Sequence, residues 1–427
     1  MPQYKKKHVK KHIISNKKPK TVKKVERKSD DIEMGAKKPK KIKPQKRENM
    51  NVVKGNKLQR IRKTRITLAA LVAVVLAITL LSLLLPVGIM ENVNNLFAMA
   101  GKGGYPIELY GSQTLNAVSS GNYYYVLTDT NVNIRSNNGK EIFNVSHGYT
   151  KPVLKTTSTR ALVFDQGGKG LFIANLREKV IEREFENTIL NAAISRCGTY
   201  AVAYNADNYA SVVSVYNKKD KLLYEWYSAD ETVNNIAVSP NGKKIAVSTV
   251  TASGGKLVSK LYVFGYDSAN PLYTLDLGEN LVYNVEGGIH SGFSVVTASG
   301  FKYITWSKYK ISEYSTDLQL TTFKASSKGM VAVSTLAGNK SDNKIAVFNA
   351  RGKKLSEFSF NGIISDIQIS RNHIYCMSDS RVSIYSKDGE LLRDAECDFS
   401  AVRLSVLSAY SVAVIKNDEI SRLEIKK

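Results

Sequence analysis

The sequence predicts an all-β propeller of about eight four-stranded blades, preceded by one transmembrane helix and a disordered basic tail. Three observations carry that reading. Residues 66–90 hold no charged residue. The chain before them is strongly basic and poor in apolar residues. The chain from 105 to 427 is a succession of short runs rich in Val, Ile, Tyr and Thr, separated by turn residues and repeating about every 40 residues.

The tail comes first. The net charge of +25 belongs mostly to residues 1–65, which hold 25 Lys or Arg and 5 Asp or Glu. The remaining 362 residues hold 37 basic and 32 acidic groups and are close to balanced. A segment so charged cannot bury enough apolar surface to offset its ordering entropy, so 1–65 reads as disordered. It reads first as a topology determinant and a solvated tail; if it binds anything, the charge points to a polyanion. Among polyanions, anionic lipid of the inner leaflet comes next, because each Lys or Arg near such a surface contributes about 1 kcal/mol. Nucleic acid is disfavoured: Tyr4 is the tail's only aromatic, and stacking or base-edge readout needs more.

The span follows. As a helix, the 25 residues of 66–90 cross a hydrocarbon core of about 30 Å with some tilt. The 20 residues before it hold eight Lys or Arg, including Lys57, Arg60, Arg62, Lys63 and Arg65. The 20 after it hold one, Lys102. Positive charge stays inside, so the N-terminus is expected in the cytoplasm and the C-terminal domain outside the plasma membrane. A cleaved signal peptide is the rival, with Ala98-Met99-Ala100 as the cleavage pattern, but a signal's apolar core is only about 7–15 residues long. Residues 91–104, with Gly101, Gly103 and Gly104, read as a flexible joint.

The propeller is read from its repeats. Ile194-Ser195-Arg196-Cys197-Gly198-Thr199-Tyr200-Ala201-Val202-Ala203 aligns with Val238-Ser239-Pro240-Asn241-Gly242-Lys243-Lys244-Ile245-Ala246-Val247, the two serines lying 44 residues apart. In each, a strand ends at Ser, a turn built on Gly198 or Gly242 reverses the chain, and an apolar strand follows. A second turn, built on Gly139, Gly352 and Gly389, links a strand to an amphipathic one. Blades are expected near 113–150, 151–187, 188–229, 230–277, 278–323, 324–361, 362–397 and 398–427. The last has room for three strands, and Pro106–Tyr110 supplies the fourth, closing the ring end to end. Seven blades result if 278–323 is misread.

The Ser239–Val247 segment resembles the blade signature of WD-repeat-like and quinoprotein-like propellers of bacterial envelope proteins. The layout resembles that of a bacterial family of single-pass membrane proteins with such an ectodomain, one without an assigned activity. No Trp-Asp dipeptide ends a blade, and only Trp226 and Trp306 are present, which departs from the recurrent Trp of quinoprotein blades. No cofactor is therefore expected.

Residues for chemistry are sparse. There is no G-x-S-x-G, H-E-x-x-H or P-loop pattern. His373 and Cys376, three apart in a strand, point to opposite faces and read as packing residues. His8, His12, His147 and His290 form no ligand pattern. Cys197, Cys376 and Cys397 are too few for a disulfide framework, though the last two are near enough in sequence to pair. Asp230-Glu231 reads as an inter-blade loop. Tyr123 and Tyr125 are expected on one face of a strand and Tyr124 on the other.

The function expected is a non-enzymatic binding or scaffold module for a protein, peptide or envelope polymer. The alternatives are a glycan-acting enzyme with its site in the propeller channel, and a linker coupling a cytoplasmic polyanion to the envelope.

Overall fold

Each apolar run becomes a strand, and each Gly-, Asn- or Asp-centred gap becomes a turn. The computed structural model describes residues 68–70, 72–73 and 101–426, except 110–111, 289–291, 327–328, 337–341 and 379. The strands pair antiparallel into eight four-stranded sheets, at 114–146, 152–184, 189–228, 232–278, 282–315, 319–361, 366–396 and 403–424. In seven of them, four strands follow one another in chain order from the innermost to the outermost. The eighth is built from Arg403–Ser408, Ser411–Ile415 and Glu419–Glu424, with Ile107–Glu108 added as its outer strand. Ile107 pairs Ile420 and Glu108 pairs Glu419, so the two ends of the propeller close the ring as expected.

Burial follows from the stacking of blades. The second strand of the second blade, Ala161–Asp165, is buried at every position because both its faces meet a neighbour. Ala161 and Val163 pack toward the first blade, and Leu162 and Phe164 pack toward the third. Outermost strands alternate instead, as in Tyr273–Gly278. The apolar core is divided among the blade interfaces, as for repeat units that bury a face only against a neighbour. Tyr123 and Tyr125 lie in one interface and Tyr124 in the next, which bears out the alternation read from the sequence. Tyr and Phe supply the aromatic packing, as in Phe301–Phe348 at 4.3 Å and Phe358–Tyr385 at 4.6 Å between ring centres.

One blade boundary departs from the sequence reading. The fifth blade ends at Ser315, and Gln319–Ala325 is the innermost strand of the sixth. The expected boundary between 278–323 and 324–361 falls inside this strand. Its polar alternation resembles an outer strand, because one face lines a channel walled by polar and charged residues.

The tail, with Lys57, Arg60, Arg62, Lys63 and Arg65, lies outside the described residues, as do Ala98-Met99-Ala100 and most of 66–90. Residues 68–70 and 72–73 are helical. Among the described residues, no helix is long and apolar enough to cross a membrane.

Candidate functional site: a channel between two unlike faces

The innermost strands of all eight blades surround a channel of about 690 Å³. Its wall has a repeated local cause. A β-bulge interrupts the innermost strand before Asn116, Asn191, Asn235 and Asn284, and before Thr322 in the sixth blade. Two of these asparagines then bridge blades. Asn191 Nδ2 donates to the Asn234 carbonyl (2.8 Å), and Asn235 Nδ2 donates to the Val282 carbonyl (3.0 Å). Ser119 Oγ meets Ser405 Oγ at 2.9 Å and accepts from Val406 N at 2.7 Å, tying the eighth blade to the first. Each such bond contributes about 1 kcal/mol net, and together they fix the channel's shape.

Charge enters the wall from a few strands. Lys324, Asp366, Arg403, Lys155 and Glu286 all line it. Asp366 Oδ2 accepts from Leu404 N (2.8 Å) and from Gln368 Nε2 (3.1 Å). Burial is the largest influence on Asp366 and raises its carboxyl above the usual range, against the pull of Lys324. Burial likewise lowers the Lys324 ammonium, partly offset by Asp366 and Glu286. Among the described residues, Lys324 forms no salt bridge.

The two rims differ. Chain direction places every turn between first and second strands, and every turn between third and fourth, on one face. The other connections lie on the opposite face. Among the described residues, the first face, here the turn face, carries fifteen Lys or Arg and five Asp or Glu in those turns. The second, the loop face, carries nine Asp or Glu and three Lys or Arg. The near balance of the whole domain conceals this sorting.

The loop face also exposes apolar groups. Tyr209 and Tyr227 meet at 5.0 Å, 42% and 49% exposed. Phe399 is 84% exposed in the loop before the eighth blade. Leu257 lies near the tip of the hairpin of Ile245–Ser253 and Lys256–Phe264, both nine residues long. Asp230 and Glu231 sit in an inter-blade loop of this face. Burial acts to raise the Glu231 carboxyl, but hydrogen bonds from Lys260 (2.7 Å), Thr249 (2.6 Å) and Tyr262 (2.9 Å) outweigh it and hold it low. Glu231 is thus an ion-paired anchor of the fourth blade.

Gly139, Gly198, Gly242, Gly352 and Gly389 all sit in the turn face with positive φ. Gly352 shows why a side chain is excluded there: an added Cβ would lie 2.2 Å from the Tyr303 Cβ of the neighbouring blade. The chain enters the propeller on this same face. Asn138 Nδ2 donates to the Gly101 carbonyl (3.0 Å), and an added Cβ at Gly139 would lie 2.3 Å from the Gly104 carbonyl oxygen.

Cys197, Cys376 and Cys397 are free thiols. Cys376 is in the core between the sixth and seventh blades, whereas His373 faces Tyr375 and Tyr410. His8, His12 and His290 lie outside the described residues. Among the described residues, no three His, Cys, Asp or Glu side chains converge to hold a metal. The bulge-and-asparagine wall was not read from the sequence, although Leu115-Asn116-Ala117 and Leu190-Asn191-Ala192 are identical triplets at its key position.

No curated protein is similar to the chain in sequence. Several solved structures share the fold. BamB from Moraxella catarrhalis matches with a TM-score of 0.50 and 13% identity, over 76% of this chain and 99% of that one. The C-terminal WD40 domain of Sif2 gives 0.53 and 9%, over 77% and 100%. The Dos1 propeller gives 0.53 and 13%, over 75% and 94%. Such identities establish the propeller and nothing finer. The family is set by residues 106–425, the closed ring itself: the chain belongs to the family of unknown function DUF5711.

Proposed function

We propose that this protein is a single-pass membrane protein whose propeller lies outside the cell membrane and binds a protein, peptide or envelope polymer without chemistry of its own. The uncharged run 66–90 and the drop from eight basic residues to one across it support the anchor and its direction. The observation that carries the binding role is the loop face. Tyr209, Tyr227, Leu257 and Phe399 stand exposed among acidic loops on a rigid, closed scaffold. Exposed aromatic groups on rigid loops are the anchors from which interfaces are built.

Site-specific photocrosslinking in cells tests this reading. A crosslinker at Phe399 should give a discrete adduct that disappears when Tyr209 and Tyr227 are both replaced by Ser. An adduct that persists in the double variant, or none from several loop-face positions, counts against it.

A channel enzyme is the second reading, favoured by one feature: Asp366, a carboxyl of raised pKa on the channel wall. Turnover of an envelope glycan that is abolished in Asp366→Asn would support it over the first.

A further inference from the structure

We infer that the turn face is a docking surface for the anionic lipid headgroups of the bilayer that holds the anchor. The inference rests on the tether proposed above and adds an orientation and a ligand class to it. Its first support is the charge count, an excess of ten positive charges on this face against an excess of six negative on the other, among the described residues. Its second is availability. Lys218, Lys219, Lys221, Lys243, Arg351 and Lys353 are exposed, and none forms an ion pair among the described residues.

Chain entry is the third and independent support. Gly101–Gly104 lies against the turn at 137–140, so the residues that lead from the span arrive on the basic face. Only ten residues, 91–100, separate Met90 from Gly101. Fully extended they reach about 35 Å. A short tether raises the effective concentration of surface and face for one another. The loop face, approached from the far side, has neither the sign of charge nor the attachment. Lipid is favoured over a soluble phosphate polymer for this reason: the tether brings this face to the bilayer in every molecule. The loop face is then turned outward, toward the partner proposed above.

The experiment uses the full chain in vesicles. Cys197 is exposed and sits on the turn face, so a donor fluorophore placed there, in a Cys397→Ser background, reports energy transfer to headgroup-labelled lipid. A second protein, in the same Cys397→Ser background, carries the donor at Phe399→Cys with Cys197→Ser. In an equal mixture of phosphatidylcholine and phosphatidylglycerol, transfer from Cys197 should be strong and transfer from Phe399→Cys weak. Pure phosphatidylcholine, or about 1 M salt, where screening acts within about 3 Å, should reduce the Cys197 signal. Each basic residue near an anionic surface is worth about fivefold in the docking equilibrium. The triple variant K218E/K219E/K221E should therefore weaken docking by at least about a hundredfold.

Transfer from Cys197 that ignores lipid charge and salt overturns the proposal, as does stronger transfer from Phe399→Cys. A face that ignores phosphatidylglycerol yet binds inorganic polyphosphate also overturns it and assigns the surface to a phosphate polymer. Flotation after carbonate extraction separates the two failures. A chain that does not float overturns the tether and this inference together; a chain that floats with a charge-blind face overturns only this inference.

Discussion

Closing the ring with a two-residue strand makes a demand on the residue beside it. Leu109 is 8% exposed and packs with Tyr124, Val126, Ile415 and Ile420 at the junction of the eighth and first blades. Its amide donates to the Asp418 carbonyl at 2.7 Å. Leu109→Ala removes apolar contact from both blades and leaves a void that the surrounding strands cannot fill without shifting. Buried Leu→Ala changes cost about 2–5 kcal/mol, and a site at the end of a short strand belongs near the lower end, about 2.5 kcal/mol. A propeller of this size unfolds with an entropy of about 0.7 kcal/mol/K near its midpoint, so the loss corresponds to about 4 °C in Tm. The assay is thermal unfolding of the full chain in detergent, with Leu391→Ala as the control. Leu391 is 52% exposed on the outermost strand of the seventh blade, and its truncation should cost less than about 0.5 kcal/mol. Hydrogen exchange should also rise in the eighth and first blades before the others. A Leu109→Ala protein no less stable than Leu391→Ala would refute the reasoning that 107–109 closes the ring.

Further expectations come from the channel and the faces. Burial raises the Asp366 carboxyl above its unfolded value of about 3.9, so the folded state binds that proton more tightly. The associated stability is complete below the unfolded pKa and is lost as pH rises through the folded one. Urea midpoints at acidic and neutral pH should therefore differ less in Asp366→Asn than in the parent; an unchanged difference contradicts the assignment. Because burial penalises the Lys324 ammonium, Lys324→Met should raise Tm, and a fall would show that the charge is held by a partner group. Maleimide labelling followed by mass spectrometry should mark Cys197 quickly and Cys397 slowly. Cys376, whose thiol burial pushes far above the usual range, should stay unmarked until the protein unfolds. Phe399→Asp should leave Tm unchanged while weakening the adduct formed by a crosslinker placed at Leu257 on the same face, since the Phe399 side chain is 84% exposed; a stability loss above about 1 kcal/mol would make Phe399 a structural residue.

The repeated Ser–turn–Gly hairpin made the blades legible because a closed ring of similar units imposes the same turn at the same place. Closure was legible too, since a last unit with three strands must borrow one. The cut near 323 failed because Gln319–Ala325 faces a channel lined by polar and charged residues, and an inner strand with a polar face carries an outer strand's alternation. The channel wall was hidden for a related reason. Asn116, Asn191, Asn235 and Asn284 act through bulges that shift register, and a period of two does not survive a bulge. Sorting of charge between faces was hidden by summation. Lys140, Lys243 and Lys353 follow turn glycines on one face while Asp129, Asp207 and Asp317 sit in loops of the other, and a net charge adds them together.

The most direct test of a tethered, outward-facing propeller is protease access to a C-terminal tag on intact cells or wall-free protoplasts, with a blot of the medium alongside. The account predicts a cell-associated protein of full-length mass whose tag is removed by added protease. A tag protected until the membrane is opened would reverse the orientation, and a fragment released into the medium would replace the anchor with a cleaved signal at Ala98-Met99-Ala100.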